Sequence, residues 1–145
     1  MDVFVANEQE LPIAEARLSD LARHALDQEE VDDEAELSVL FVTSDHIRRL
    51  NERFAGDDYA TDVLSFPMME DEEDSLLLGD VVICPRVAQT NAARLGHAVD
   101  VELDTLLVHG ILHLLGYDHD SDDDKRKMER RQSEILDSYA GAAAG

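Results

Sequence analysis

The sequence predicts a single α+β domain with a metal-binding helix toward its C-terminal end. Three observations predict it. The chain has 145 residues, with no repeat or linker dividing them, which is about one domain's worth. Short strand-like segments alternate with helical periodicities along it. The segment HGILHLLGYDH (109–119) sets histidines at relative positions 0, +4 and +10, on and just beyond an apolar helix.

The elements follow in order. DVFVA (2–6) reads as a short strand. Between Leu11 and Leu26 apolar residues recur at helical spacing, at Leu18, Leu21, Ala22, Ala25 and Leu26. ELSVLFVT (36–43) is rich in β-branched and aromatic residues and predicts a strand. Ser44 or Asp45 is expected to cap the next helix, which carries Ile47, Leu50, Asn51 and Phe54 and breaks at Gly56. VLSFP (63–67) and LLLGDVVIC (76–84) predict a pair of strands forming a hairpin, joined by an exposed acidic loop over 70–75. Pro85 suits the first turn of a helix that ends at Leu95 and Gly96. A further helix is expected from about Asp100 to Leu115, stopped by Gly116, and a last amphipathic one over roughly 122–138. The domain is expected to occupy 1–140, with 141–145 a disordered tail that has little to bury.

Composition narrows the class. The chain is 44% hydrophobic, enough for one core, and has no apolar run long enough to span a bilayer. It opens MDVFVANE, without the basic and apolar regions of a secretory signal. Its one cysteine, Cys84, suits a reducing compartment, so a cytoplasmic location is expected. The net charge is −22, from 34 acidic against 12 basic residues. Such a surface repels nucleic acid except where positive charge is gathered locally. The acids are spread along the chain, which fits a surface adapted to high salt better than an acidic tail.

His109 and His113 are four residues apart on a helix, so their side chains share a face. Gly116 permits the left-handed turn that returns the chain through Tyr117 and Asp118 to His119. Three converging imidazoles match a zinc site with its fourth position left for water or substrate. Nickel, copper or iron would also accept three nitrogens. A buried, unsatisfied imidazole costs about 1–3 kcal/mol, and one shared metal satisfies several at once. The spacing is that of an HExxHxxGxxH zinc protease, but Gly110 stands where the catalytic glutamate belongs. Two explanations of that glycine remain open: close packing of a strand, or room for a bulky substrate.

HGILHLLGYDH resembles the signature of the YbeY family, bacterial metal-dependent endoribonucleases of rRNA maturation. LNERFAGDDYATDVLSFP (50–67) resembles that family's LNxxYRxxDxxTDVLSFP region, and LGDVVICP (78–85) its LGDIVI strand. The resemblance implies a mixed sheet flanked by helices and one zinc ion on His109, His113 and His119. It also implies cleavage of single-stranded RNA in small-subunit rRNA 3′-end maturation and ribosome quality control, with contact to the ribosomal small subunit. One position departs. Where the family commonly has Tyr-Arg, this chain has Phe54-Ala55, so the family arginine is not carried over.

Arg53 is the expected substrate-binding residue, because with Arg48 and Arg49 it leads into the metal-site loop and it lies nearest the missing arginine. Basic residues of the last helix, Lys125, Arg126, Lys127, Arg130 and Arg131, are the larger cluster, but neighbouring acids account for much of it. No catalytic residue is assigned. Asp62 and Asp80 are candidates for a base or for orienting a histidine, and turn or strand-end hydrogen bonding explains them equally well. The substrate 2′-hydroxyl is a nucleophile RNA brings with it. Two competing readings are a zinc-stabilised ribosome-binding assembly factor with little catalysis and a zincin-type protease.

Overall fold

A computed structural model of the chain describes residues 1–68 and 76–144, with side chains to Gly141. The expected acidic loop over 70–75 lies outside the described residues. Among the described residues nine elements follow one another: β1 (Asp2–Asn7), α1 (Glu15–Gln28), β2 (Glu36–Phe41), α2 (Ser44–Ala55), β3 (Val63–Pro67), β4 (Leu77–Ile83), α3 (Pro85–Leu95), α4 (Val99–Leu114) and α5 (Asp122–Ala144).

The described strands form one mixed sheet in the order β1-β2-β4-β3. β1, β2 and β4 are parallel, and β3 runs antiparallel to β4, with Ser65 opposite Val81 and Phe66 opposite Asp80. The expected pairing of β3 with β4 is therefore present, and the fold is the α+β domain with a mixed sheet.

Alternation along the strands sorts side chains to two faces. Leu37, Val39, Phe41, Val81 and Ile83 enter the main core with Leu18, Leu21 and Leu26 of α1 and Leu103, Leu107 and Ile111 of α4. Met128 and Ile135 of α5 close the same core. The opposite face is thinner: Val82 packs with Ile47 of α2, flanked by Leu40, Leu50, Leu64 and Phe66. Each fully buried Leu, Ile or Phe contributes about 1.5–3 kcal/mol. α4 is buried at Leu103, Leu106, Leu107, Val108, Ile111 and Leu112, because it touches β3, β4, α1, α3 and α5. That is the buried, mostly apolar helix the sequence predicts.

Three boundaries differ from expectation. α1 starts at Glu15, several residues past Leu11. The cap of α2 is Thr43, not Ser44 or Asp45. Its backbone is extended and its hydroxyl accepts from His46 N at 3.2 Å. The β-branched residue at the end of the predicted strand thus belongs to the helix start. α5 continues to Ala144 rather than stopping near 138, in keeping with the high helix propensity of its alanines.

Candidate functional site

His109 and His113 project from the last two turns of α4. The helix closes with Gly116 N donating to His113 O at 3.2 Å and Tyr117 N to Leu112 O at 3.1 Å. Gly116 takes φ +102°, and the chain folds back as its position predicts. His119 then lies across from both helical histidines. Its ring is 6.3 Å from that of His109 and 6.0 Å from that of His113, at interplanar angles of 16° and 18°. The three imidazoles line one cavity of about 190 Å³ with Val63, Leu64 and Ser65 of β3.

The donor set suits a metal. Burial lowers the His109 pKa below its ordinary value, which keeps the ring neutral. Gln132 Oε1, only an acceptor, takes the Nδ1 proton of His109 at 3.3 Å. That leaves the lone pair on Nε2, the form a metal binds. As the rings stand, no three His, Cys, Asp or Glu side chains among the described residues are gathered tightly enough to enclose an ion. Three imidazoles around one tetrahedral ion, with nitrogens at ~2.0–2.1 Å, have ring centres about 5 Å apart. The observed spacing from His119 is wider by roughly an ångström, and His119, which is exposed, is the one of the three that lies off the helix. By residue type, by their sharing of one cavity and by the His109 tautomer, the three histidines fit such an ion.

Gly110 is settled by packing. A Cβ there would lie 2.6 Å from Val81 Cγ1 and 3.3 Å from both Ser65 Oγ and Val63 Cγ2. The Ser65 hydroxyl also donates to Gly110 O at 2.9 Å. Of the two explanations, close approach of α4 to the sheet accounts for the glycine.

The two candidate aspartates part company. Asp62 accepts from Val63 N at 2.8 Å and from Asn91 Nδ2 at 3.1 Å. Its charge reaches His109, where it favours the protonated ring and opposes the larger effect of burial. Asp80 is on the other face of the sheet, in a groove with His46, Leu50, Phe54 and Phe66. It is not brought to the histidines, so no role at that site follows for it.

Arg53 is also on that outer side. It is exposed at the end of α2, its guanidinium 5.3 Å over the Phe54 ring, and Phe54 meets Phe66 of β3 edge-on at 5.2 Å. No carboxylate pairs with it among the described residues. Its neighbours are committed: Arg48 bonds Asp58 and Asp45, and Arg49 bonds Asp45. On α5, Arg126 bonds Asp123, while Arg131 bonds Glu29 and Glu134. β3, the strand that floors the histidine cavity, thus carries the Arg53–Phe54 pair against its outer face.

Among the described strands β3 lies at the edge of the sheet, and its outward side is nearly closed to pairing. Asp62 O accepts from Cys84 N and Met68 N donates to Leu78 O, so Leu64 and Phe66 turn their backbone groups to β4. Val63, Ser65 and Pro67 face outward. The Val63 N–H is taken by Asp62 Oδ1 and Pro67 has none, which leaves Ser65 as the outward donor of β3.

Sequence reasoning did not find Gln132, Asn91 or Ser65. Gln132 and Asn91 are single amides in ordinary amphipathic helices, and only the tertiary fold brings them to His109 and Asp62. Ser65 does carry a signal, as the polar residue on the inward face of VLSFP.

The model of the family described as Endoribonuclease YbeY matches residues 4–140. A relative from Thermobifida fusca bearing that name is 47% identical over 143 residues, covering 94% of this chain and 92% of its own. One from Frankia casuarinae is 46% identical over 153 residues, covering 98% of this chain and 76% of its own. The solution structure of TM1509 from Thermotoga maritima superposes with a TM-score of 0.63 at 30% identity, over 97% of this chain and 93% of that one.

Proposed function

The chain belongs to the endoribonuclease YbeY family, and from that premise we propose that it is a zinc-dependent endoribonuclease of single-stranded RNA. Its place is small-subunit rRNA 3′-end maturation and ribosome quality control, in contact with the small subunit. The observation that carries the reading is the convergence of His109, His113 and His119 on one cavity floored by β3. No helix among the described residues is long and apolar enough to cross a membrane, and the lone cysteine is free and buried. Both are compatible with a cytoplasmic site of action.

His109, His113 and His119 would hold the ion, which when bound supplies Lewis acidity toward a phosphate oxygen and toward water. The chain's own residues do the rest. Gln132 fixes the tautomer and tilt of His109. Asp62, the carboxylate whose charge reaches His109, is the candidate to receive the 2′-hydroxyl proton. Arg53 meets the phosphates from the outer side of β3, with Phe54 beneath it as an apolar platform.

A protease fits this site poorly. A glutamate at position 110 would run into Val81. An extended peptide adds to a sheet edge through alternating donors and acceptors, and Ser65 is the outward N–H that β3 offers. The assembly-factor reading draws on the acidic surface and on Ala55 in the arginine position. A time course on single-stranded RNA separates the two. Cleavage that stops with chelator and returns with zinc is expected. Binding to the small subunit without any chelator-sensitive cleavage would replace the enzyme reading with the assembly factor.

A further inference from the structure

The loop that carries His119 is tied down at one distant side chain. Tyr117 lies two residues before His119, and its hydroxyl hydrogen-bonds the Glu29 carboxylate, 3.1 Å from Oε1 and 3.3 Å from Oε2. Glu29 caps the C-terminus of α1, and its side chain is only 14% exposed. The same carboxylate accepts from Arg131 Nε at 2.9 Å. Arg131 also donates to Gln28 O at 2.7 Å and to Glu134 at 3.1 Å, so its fork is held on three sides. Arg131 directly precedes Gln132, which takes the Nδ1 proton of His109.

Two short paths therefore leave one carboxylate and reach two different histidines. One runs through Tyr117 to the turn bearing His119. The other runs through Arg131 to Gln132 and His109. A half-buried carboxylate holding both a phenol and a guanidinium is costly to place unless its oxygens are paired, and here both accept hydrogen bonds. The histidine rings stand about an ångström wider than ligation asks, so the position of the His119 loop decides how readily they close.

We infer that Glu29 is a positioning residue for the metal site: it sets the His119 loop and the His109 orientation together, and so sets the affinity for the ion. This rests on the metal reading of the three histidines. The plain alternative is a staple between α1 and α5 that matters only for folding.

Zinc affinity by competition with a chromophoric chelator, and the visible spectrum of the cobalt-substituted protein, distinguish them. Both would be measured on the wild-type chain, Glu29→Ala, Glu29→Gln and Tyr117→Phe. Arg17→Gln serves as control, because it breaks a comparable ion pair with Asp104, between α1 and α4. Affinity is expected to fall on the order of 10-fold or more in Glu29→Ala, as for other groups that orient ligands. Glu29→Gln should recover part of it, Tyr117→Phe should lose affinity while staying folded, and Arg17→Gln should bind as the wild type does. The cobalt spectrum should change in Glu29→Ala and Tyr117→Phe. Unchanged affinity in both Glu29→Ala and Tyr117→Phe, or an equal loss in Arg17→Gln, would overturn the positioning role alone. A wild-type chain that binds no zinc would overturn the metal reading and this inference with it.

Discussion

The Nδ1 proton of His109 is held by Gln132, 23 residues further along the chain, at 3.3 Å. The contact selects one tautomer of a partly buried ring. Replacing Gln132 with Leu keeps the bulk and removes the acceptor, leaving the Nδ1–H without its partner. Metal affinity is expected to drop about 10–100-fold, with a smaller change in the melting temperature of the metal-free chain. Equilibrium dialysis against buffered zinc reads the affinity, and retention of wild-type affinity would show that the bond does not orient the ligand.

His113→Ala removes one of three imidazoles from the cavity. Elemental analysis of the purified variant is expected to show the metal lost, where the wild-type chain carries one zinc. Thermal stability in the presence of zinc should fall as well, because an ion that binds only the folded state stabilises it by mass action. Full metal retention in His113→Ala would remove the histidines from the ligand set.

Arg53 is the test of how so acidic a chain meets a polyanion. It has no carboxylate partner among the described residues, whereas Arg126 is bonded to Asp123. Arg53→Ala is therefore expected to weaken single-stranded RNA binding and cleavage several-fold, and Arg126→Ala to have little effect at the same salt. The reverse order would place the RNA path along α5.

The charge of −22 leaves a large excess of like charge that the ion pairs described do not neutralise. Salt screens that repulsion. Melting temperature is expected to climb from low to molar KCl, since the exposed pairs that salt also weakens contribute little. A flat or falling curve would count against a salt-adapted surface.

Gly110→Ala sets two effects against each other. Alanine gains ~1 kcal/mol of helix propensity. Its Cβ would stand 2.6 Å from a methyl of buried Val81, and overpacking of this kind costs typically ~1–3 kcal/mol. A net loss of about 1 kcal/mol is expected in denaturant unfolding. A stabilised variant would mean the helix moves off the sheet easily.

The elements were legible in the sequence because their signals are local. Apolar periodicity located α1 and α4, Pro85 and Gly96 bracketed α3, and the histidine spacing placed the turn at Gly116. What sequence could not resolve depends on faces and distances. LLLGDVVIC is apolar on both sides, which hid the fact that Asp80 points away from Val81 and Ile83. The cap of α2 fell one residue earlier than expected, because Thr43 serves equally as a strand residue and a helix cap. Gly110 left two explanations standing until the approach of Val81 decided between them. The Glu29–Tyr117–Arg131 cluster joins residues about a hundred positions apart, and no spacing rule reaches that far.

The blunted edge of β3 has a consequence for the life of the protein among unfolded chains. A strand bordering a functional cleft must stay open to its ligand, and an open strand is ordinarily a template on which stray extended segments polymerise. Here the side chain of Asp62 covers one outward donor and Pro67 abolishes another. The cleft keeps its access while the strand beside it offers little for a second copy, or a nascent polypeptide, to zip onto. Protection from aggregation is thus written into Asp62 and Pro67, which flank the residues that floor the site.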